Sequence, residues 1–375
     1  MLPIQHQTKT QALREHLAQL IGTMEPHAKL PTMRELCATL RVSPMTVNRA
    51  LSELEAHGAI YRRQGSGTYV AARVEIPESK PTIGLVYDRD VFGSGMSPFG
   101  GLLIEAARQR AESHDERFSF YFAMPSADGM PVHDDLVQAL QEKRLNGVLF
   151  VGEQNPQALQ WLQQQAVPLV ALAYTPIAPY RVKIDHAHAV RLGVKALAEQ
   201  GCRRIGLWIP HGVGLGRTGK QKSFPELDAF KQALKRHNLP YNPEWVWQLD
   251  SLTSDVPLDA EPNQEQGLRA AHEVFSKKNK ASATHVPDAL IIDDDMMTRG
   301  ALVAFDKLGI RAGSNIKVAS HTNRGSTVLT GYEDELILIE VDPAEIVQAM
   351  FDMLESLMQG QTPAATIVIK PHLAR

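Results

Sequence analysis

From residue 83 onward the chain alternates short apolar runs with stretches of helical spacing, and this alternation constrains its fold more than any other feature. The candidate strands are IGLVY at 83–87, GVLFV at 147–151, PLVAL at 168–172, RIGLWI at 204–209, DALII at 288–292 and KVAS at 317–320. Helical patterns lie between most of them, at 102–111, 134–141, 188–199, 226–236, 264–275 and 297–308. Runs that are apolar on both faces, joined through helices, are the pattern of parallel sheets covered on both sides. About 295 residues exceed what one sheet and one core hold, so two lobes are expected. The first is placed at about 81–200 with 321–340, the second at about 201–320 with 341–375. Ligands of such folds bind beyond the carboxyl ends of the strands, which here points to a cleft between lobes.

The 375 residues are 43% hydrophobic and 22% charged, the composition of a chain that folds throughout. No apolar run approaches the roughly 20 residues that span a bilayer, and the opening MLPIQHQTKTQ lacks the order of a signal peptide, so a cytoplasmic protein with no membrane partner is expected. Cys37 and Cys202 fit neither a disulfide framework nor a zinc spacing. No metal or cofactor is implied, and no catalytic constellation can be placed. The net charge of −3 conceals an asymmetry: residues 1–73 carry +4 and the remainder −7. A basic head on an acidic body favours a polyanion as the partner of the head.

The head reads as three helices and a hairpin. Leu13, Leu17, Leu20, Ile21 and Met24 recur at helical spacing over about 10–24, and Pro26 ends that segment. Thr32 and Glu35 form a capping box before Leu36 and Leu40. Ser43 followed by Pro44 opens a third helix that buries Val47, Ala50, Leu51 and Leu54 and stops at Gly58. Its exposed face presents Met45, Thr46, Asn48, Arg49 and Ser52, short polar groups and a cation suited to the major groove. AIYRRQGSGTYVA then alternates about the turn Gln64-Gly65-Ser66-Gly67, with Arg62 and Arg63 beside its tip. Such a wing brings cations and unhindered backbone N–H groups to phosphate or the minor groove.

Together, LPTMREL, VSPMTVNRALSELEAHG and RRQGSGTYV resemble the winged helix-turn-helix of the GntR family across residues 8–72. The resemblance implies that Arg34 binds a phosphate, that Ser43 and Thr46 hold the DNA backbone beside the recognition helix, and that Gly65 and Gly67 make the wing contact. Met45, Asn48, Arg49, Arg63 and Gln64 complete the expected interface. Pro44 and Asn48 stand where many members have guanine-reading arginines, so Asn48 is expected to read adenine. For Arg34 the alternative is a solvated helix charge paired with a neighbouring carboxylate. Residues 74–80, VEIPESK, read as the linker.

The remainder, 81–375, is similar to the effector domain of the LacI family and so to periplasmic sugar-binding proteins. The motifs are SPFGGLLIEAAR, NGVLF, the stretch from Asp185 to Gly206 ending GCRRIG, DDDMMTRGALVAFDKLGI and IVIKPHLAR. A GntR head before such a body resembles the arabinose-type regulators. The resemblance implies an α/β fold with a bilobed, periplasmic-binding-protein-like domain of two parallel-sheet lobes. It places Asp295 on a sugar hydroxyl, with Asp88, Phe99, Asp185, His186 and His188 around the cleft. A carboxylate accepts from vicinal hydroxyls and Phe99 can stack on a sugar face. Asp293, Asp294 and Asp295 could instead cap the following helix, and Asp185 and His186 could orient the next turn. Glu226 replaces the arginine usual in the family, and Arg217, Lys220 or Lys222 could supply the missing cation. The expected function is a DNA-binding regulator, not an enzyme: a homodimeric repressor released from a palindromic operator by a sugar or sugar-derived effector. An acidic or phosphorylated effector and an activator are the alternatives. GVGLGRTGKQ approaches a phosphate-binding loop, but Gln221 lacks the hydroxyl that binds magnesium, which leaves a nucleotide-binding enzyme last in order.

Overall fold

The computed structural model describes residues 13, 16, 17, 20, 21, 24–40, 42–56, 58–63, 66–71, 81–88, 98–123, 130–152, 155–174, 176–210, 225–247, 262–275 and 286–374. The chain divides into two compact units, Met1–Lys80 and Pro81–Arg375.

In the first unit the capping box forms as the spacing requires. Thr32 N donates to Glu35 Oε2 at 2.7 Å and Glu35 N to Thr32 Oγ1 at 3.3 Å, which satisfies two orphan donors at the start of α1, Met33–Leu40. Ser43 Oγ accepts from Thr46 N at 3.2 Å and so caps α2, Pro44–Ala56. Strands β1, Ile60–Arg63, and β2, Gly67–Val70, pair antiparallel as the wing. Residues 27–30 add an edge to β2 through His27 N to Val70 O, Val70 N to Ala28 O and Leu30 N to Thr68 O. Leu13, Leu17 and Ile21 are helical and join Leu36, Val47, Leu51, Leu54, Ile60 and Val70 in one small core.

The second unit holds two sheets of one design. The first runs β13-β7-β6-β5-β3-β4, all parallel, from β3 (Thr82–Tyr87), β4 (Arg117–Phe122), β5 (Gly147–Val151), β6 (Leu169–Leu172), β7 (Arg181–Ile184) and β13 (Thr366–Ile369). The second runs β14-β12-β11-β10-β8-β9, from β8 (Ile205–Trp208), β9 (Val246–Trp247), β10 (Ala289–Ile292), β11 (Lys317–Asn323), β12 (Leu336–Val341) and β14 (His372–Leu373), the last antiparallel to β12. In each lobe the first strand has the second on one side and the third on the other. The strand order therefore reverses between β3 and β5 and between β8 and β10. Such switch points leave a crevice beyond the carboxyl ends of the strands.

Helices cover both sheets: α3 (Pro98–Ser113), α4 (Asp134–Gln141), α5 (Pro156–Gln163), α6 (His186–Glu199), α7 (Pro225–Arg236), α8 (Asn263–Phe275), α9 (Asp295–Leu308) and α10 (Pro343–Met358). Two glycines bring α8 and α9 into backbone contact. A Cβ on Gly267 would lie 1.9 Å from the Met297 carbonyl oxygen, and one on Gly300 1.8 Å from that of Gln264.

The expected lobe boundaries need correction. Helix α6 packs on α7, β10, β11 and β12 and belongs to the second lobe, as does β12, which pairs with β11. Helix α10 packs on α3, β5, β6 and β7, and β13 pairs with β7, so both belong to the first. Chain order cannot reveal these exchanges, because the backbone passes between lobes three times, near Asp185, Asp342 and Lys370. Strand β4 escapes sequence reading because RFSFYF is a half-buried edge strand and not a continuous apolar run. RVKI in β7 alternates buried with half-buried positions for a similar reason.

Candidate DNA interface and interlobe site

On the head, Arg34, Ser43, Met45, Asn48, Arg49 and Arg63 are exposed and Thr46 is half-buried. Met45 is 82% exposed at the start of α2, where an apolar side chain has no partner in its own fold. Arg49 lies 3.7 Å from Glu53 with its side chain 72% exposed, so the pair is loose and the cation remains available. The two wing arginines differ. Arg62 Nη2 donates to Ser52 Oγ at 3.1 Å and its Nε lies 3.2 Å from Glu55 Oε2, tying the wing to α2. Arg63 instead lies over the rings of Tyr61 and Tyr69, at 5.4 and 5.5 Å, and those rings stack on each other at 5.6 Å. The platform holds the guanidinium exposed beside the turn. Gly67 has φ +127°, and a Cβ there would meet the Lys29 stem at 2.7 Å. The positive φ is what calls for glycine, since the Lys29 stem can move aside. Gln64 and Gly65 lie outside the described residues. Sequence reading missed Tyr61 and Tyr69, although their cross-strand spacing about the turn is visible in it.

In the body, Asp88 and Asp293 stand at comparable strand ends, after the first strand of one lobe and the third strand of the other. Asp88 follows β3 and its N–H donates to Val151 O of β5 at 3.0 Å; Asp293 follows β10 and its N–H donates to Trp208 O of β8 at 3.0 Å. Each acid thus sits at the switch point of its lobe, 7% and 8% exposed. The Asp88 carboxylate fills the space a Cβ at Gly152 would need.

Around Asp293 the structure assembles a buried polar chain that crosses between lobes. Tyr174, just after β6, has its hydroxyl 2.9 Å from His186 Nε2, and His186 Nδ1 lies 3.1 Å from Asp293 Oδ1. The His321 ring of β11 is 5.3 Å from that of His186. Burial alone lowers the His186 pKa, but the Asp293 carboxylate and the Tyr174 hydroxyl outweigh it and hold the ring well above its ordinary value. His321 is pushed down to about 4 by burial and by the neighbouring His186 charge. One imidazolium and one neutral imidazole therefore lie side by side. His321 Nε2 and Asn323 Oδ1, two residues apart on one face of β11, are buried without a hydrogen-bond partner.

The three consecutive acids divide their work. Asp294 caps α9 by accepting from Met297 N at 2.7 Å, and burial beside Asp295 lifts its pKa to about 7. Asp295 is 4% exposed, accepts from Ser326 Oγ at 2.9 Å and from the Asn323 side chain, and has its pKa raised by burial. The acid expected on a ligand hydroxyl is thus engaged by the protein. Asp185 caps α6 through His188 N at 2.8 Å, and His186, not Asp185, joins the polar chain. Phe99 is half-buried against the first-lobe core. Glu226 is 5% exposed in the first turn of α7. His188 departs from expectation: it lines a groove between α6 and α7, because two residues past His186 the α6 surface has turned toward α7. Arg217, Lys220 and Lys222 lie outside the described residues. Tyr174, His321 and Asn323 carry no sequence signal, since they meet only where the end of β6 and the end of β11 come together from different lobes.

The crossings between lobes are themselves tied. Arg324 N donates to Val341 O at 2.8 Å, its Nη1 to Asp342 Oδ2 at 2.6 Å, and its Nη2 lies 3.2 Å from His372 Nε2. Asp185 N donates to Ile369 O at 2.9 Å. All three crossings therefore share one hydrogen-bonded frame. Among the described residues no helix is long and apolar enough to cross a membrane.

Comparison with known proteins adds the following. Residues 9–70 match the family described as bacterial regulatory proteins, gntR family, and residues 194–375 match a periplasmic binding protein-like domain. The chain is 28% identical to the HTH-type transcriptional repressor PurR of Photorhabdus laumondii over 62% of this chain and 63% of that protein. It is 21% identical to the arabinose metabolism transcriptional repressor of Halalkalibacterium halodurans over 98% and 95%. Among solved structures, a transcriptional regulator CelR–cellobiose complex superposes with TM-score 0.59 at 20% identity over 89% of this chain and 91% of that one. A lactose repressor bound to an anti-inducer gives 0.59 at 19% over 78% and 97%. These relatives are transcriptional regulators, not enzymes. The chain is a transcriptional regulator whose head matches the gntR-family model and whose body matches the periplasmic binding protein-like domain.

Proposed function

We propose that this regulator is a homodimeric repressor whose operator affinity falls when a neutral, hydroxyl-rich effector of the sugar class binds at the interlobe junction. The observation that carries the reading is the pair of buried polar atoms without partners, His321 Nε2 and Asn323 Oδ1, beside the switch-point acid Asp293. A buried polar group without a partner costs about 1–3 kcal/mol, which a ligand hydroxyl would recover on binding. With His321 uncharged and the nearby acids capped or paired, the site matches hydroxyls and not a phosphate or carboxylate. The superposed structures include complexes with cellobiose and with glucose, and a full-length relative is an arabinose metabolism repressor.

On the DNA side, Met45 and Asn48 meet base edges, while Arg34, Ser43, Thr46, Arg49, Arg63 and the backbone at Gly67 hold phosphates. Effector binding moves the lobes about the frame centred on Arg324 and so changes the spacing of two heads on a palindromic site.

A thermal-shift screen of neutral sugars, sugar phosphates and sugar acids tests the class. A ligand at one hundred times its dissociation constant adds about 2.7 kcal/mol. A stabilising neutral sugar should also release the full-length protein from a duplex it has selected out of random sequence. His321→Ala should abolish that response and leave duplex binding intact. Stabilisation by anionic sugars alone, or an effector response that survives His321→Ala, overturns the reading.

A further inference from the structure

A further groove lies on the second lobe beside the Asp185 crossing, lined by residues other than those of the site proposed above. Helices α6 and α7 pack side by side and leave between them a groove of about 340 Å³, lined by His188, Arg191, Lys195, Arg236 and His237 over a floor of Leu192 and Ala233. No carboxylate is among the lining residues. Arg191 and Lys195 reach acids only loosely, Asp185 at 3.5 Å and Glu199 at 3.9 Å, with their side chains 38% and 60% exposed. Among the described residues Arg236 and His237 have no ion-pair partner.

Such a convergence is uphill within the fold. Like charges in one concavity repel, and this body carries a net −6, so its acids could have been interleaved here as they are along α3, where Arg108 is flanked by Glu105 and Glu112. The His188 pKa is lowered chiefly by burial; Asp185 opposes the shift, and Arg191 and Lys370 add to it. The volume selects the class of ligand. About 340 Å³ lies at the lower end of small-molecule sites, too small for a folded partner and large enough for a phosphate group with a short apolar body. Arg191 stands on α6 and Arg236 on α7, so each wall of the groove carries an arginine, the side chain that grips phosphate oxygens in pairs. Leu192 and Ala233 offer the body of the ligand a dry floor.

We propose that the α6–α7 groove is a binding site for a small phosphate-bearing metabolite, separate from the effector site. The experiment uses the full-length protein and inorganic pyrophosphate, titrated by calorimetry at constant ionic strength. Wild-type protein should bind saturably at a stoichiometry of one per chain. The double variant Lys195→Gln/Arg236→Gln should weaken this by at least about tenfold, the scale of two lost charge-assisted hydrogen bonds. Arg269→Gln, a cation elsewhere on the same lobe, should leave it unchanged. An unchanged urea-unfolding transition of the body reports that the double variant is folded. Absence of saturable binding overturns the proposal. So does binding that survives Lys195→Gln/Arg236→Gln, which would place the anion on the DNA-binding head, or binding lost equally in Arg269→Gln, which would mark general charge attraction.

Discussion

The head and the body solve opposite problems with polar side chains. The head keeps its functional groups in water: Met45, Asn48, Arg49 and Arg63 project from a core of apolar residues that never touches them. The body buries its own: Asp293, Asp295, His321 and Asn323 are enclosed and His186 nearly so, and their neighbours give His186, His321 and Asp295 a protonation preference and leave His321 and Asn323 an open valence. An exposed cation is nearly indifferent to its surroundings and waits for a polyanion. A buried polar group depends on every neighbour and can report a ligand through many of them. The head should therefore tolerate substitution structurally and lose affinity, whereas the body should lose stability first.

The largest expected effect tests that contrast at its strongest point. Asp293→Ala removes the partner of a buried charged imidazole and should cost about 3–5 kcal/mol of body stability by urea unfolding. Near-normal stability would mean that His186 simply discharges. Next, Gly300→Ala forces a methyl into the Gln264 carbonyl and should cost about 1–3 kcal/mol, read from the same midpoint.

The pH profile sharpens the comparison. His321 is held neutral in the fold, so its contribution is complete above its ordinary pKa of 6.5 and is lost as pH falls toward about 4. Asp294, raised to about 7, works in the opposite sense, gaining a proton in the fold before it does so unfolded. Total stability mixes the two, so the quantity to follow is wild type minus His321→Gln: that difference should shrink between pH 6.5 and 4. A difference flat across this window contradicts the assignment.

On the head, Asn48→Ala should leave stability unchanged and reduce discrimination at one base position by about 1–3 kcal/mol in a competition assay. The smallest effect separates the wing arginines. Arg63→Ala should lower the slope of log affinity against log salt by about 1, whereas Arg62→Ala, already engaged by Ser52 and Glu55, should leave the slope in place. Equal slopes would mean that Arg62 leaves Glu55 for phosphate.

Much of the head is local chemistry, and local chemistry is legible. Thr32 and Glu35, Ser43 and Pro44, and the glycines around Ser66 act within a few residues of one another, so their spacing alone implies two caps and a turn. The alternating strands and helices of the body are legible for the same reason: periodicity reports how each segment will be buried. The paired sheets confirm that class, and the expected strands at 83–87, 147–151 and 288–292 stand at its centre.

What only the tertiary structure decided are the meetings of distant residues. His186 and Asp293 are 107 positions apart, and Tyr174 reaches them from the other lobe. Asp295 carried the motif, yet Ser326 and Asn323 occupy it, while His321 and Asn323, in no motif, hold the open valences. The lobe exchange of α6, β12 and α10 belongs here too. Hydrogen bonding between strands and charge burial are set by which segments pack together, and three passages of one chain between two lobes leave no periodic trace in its residues.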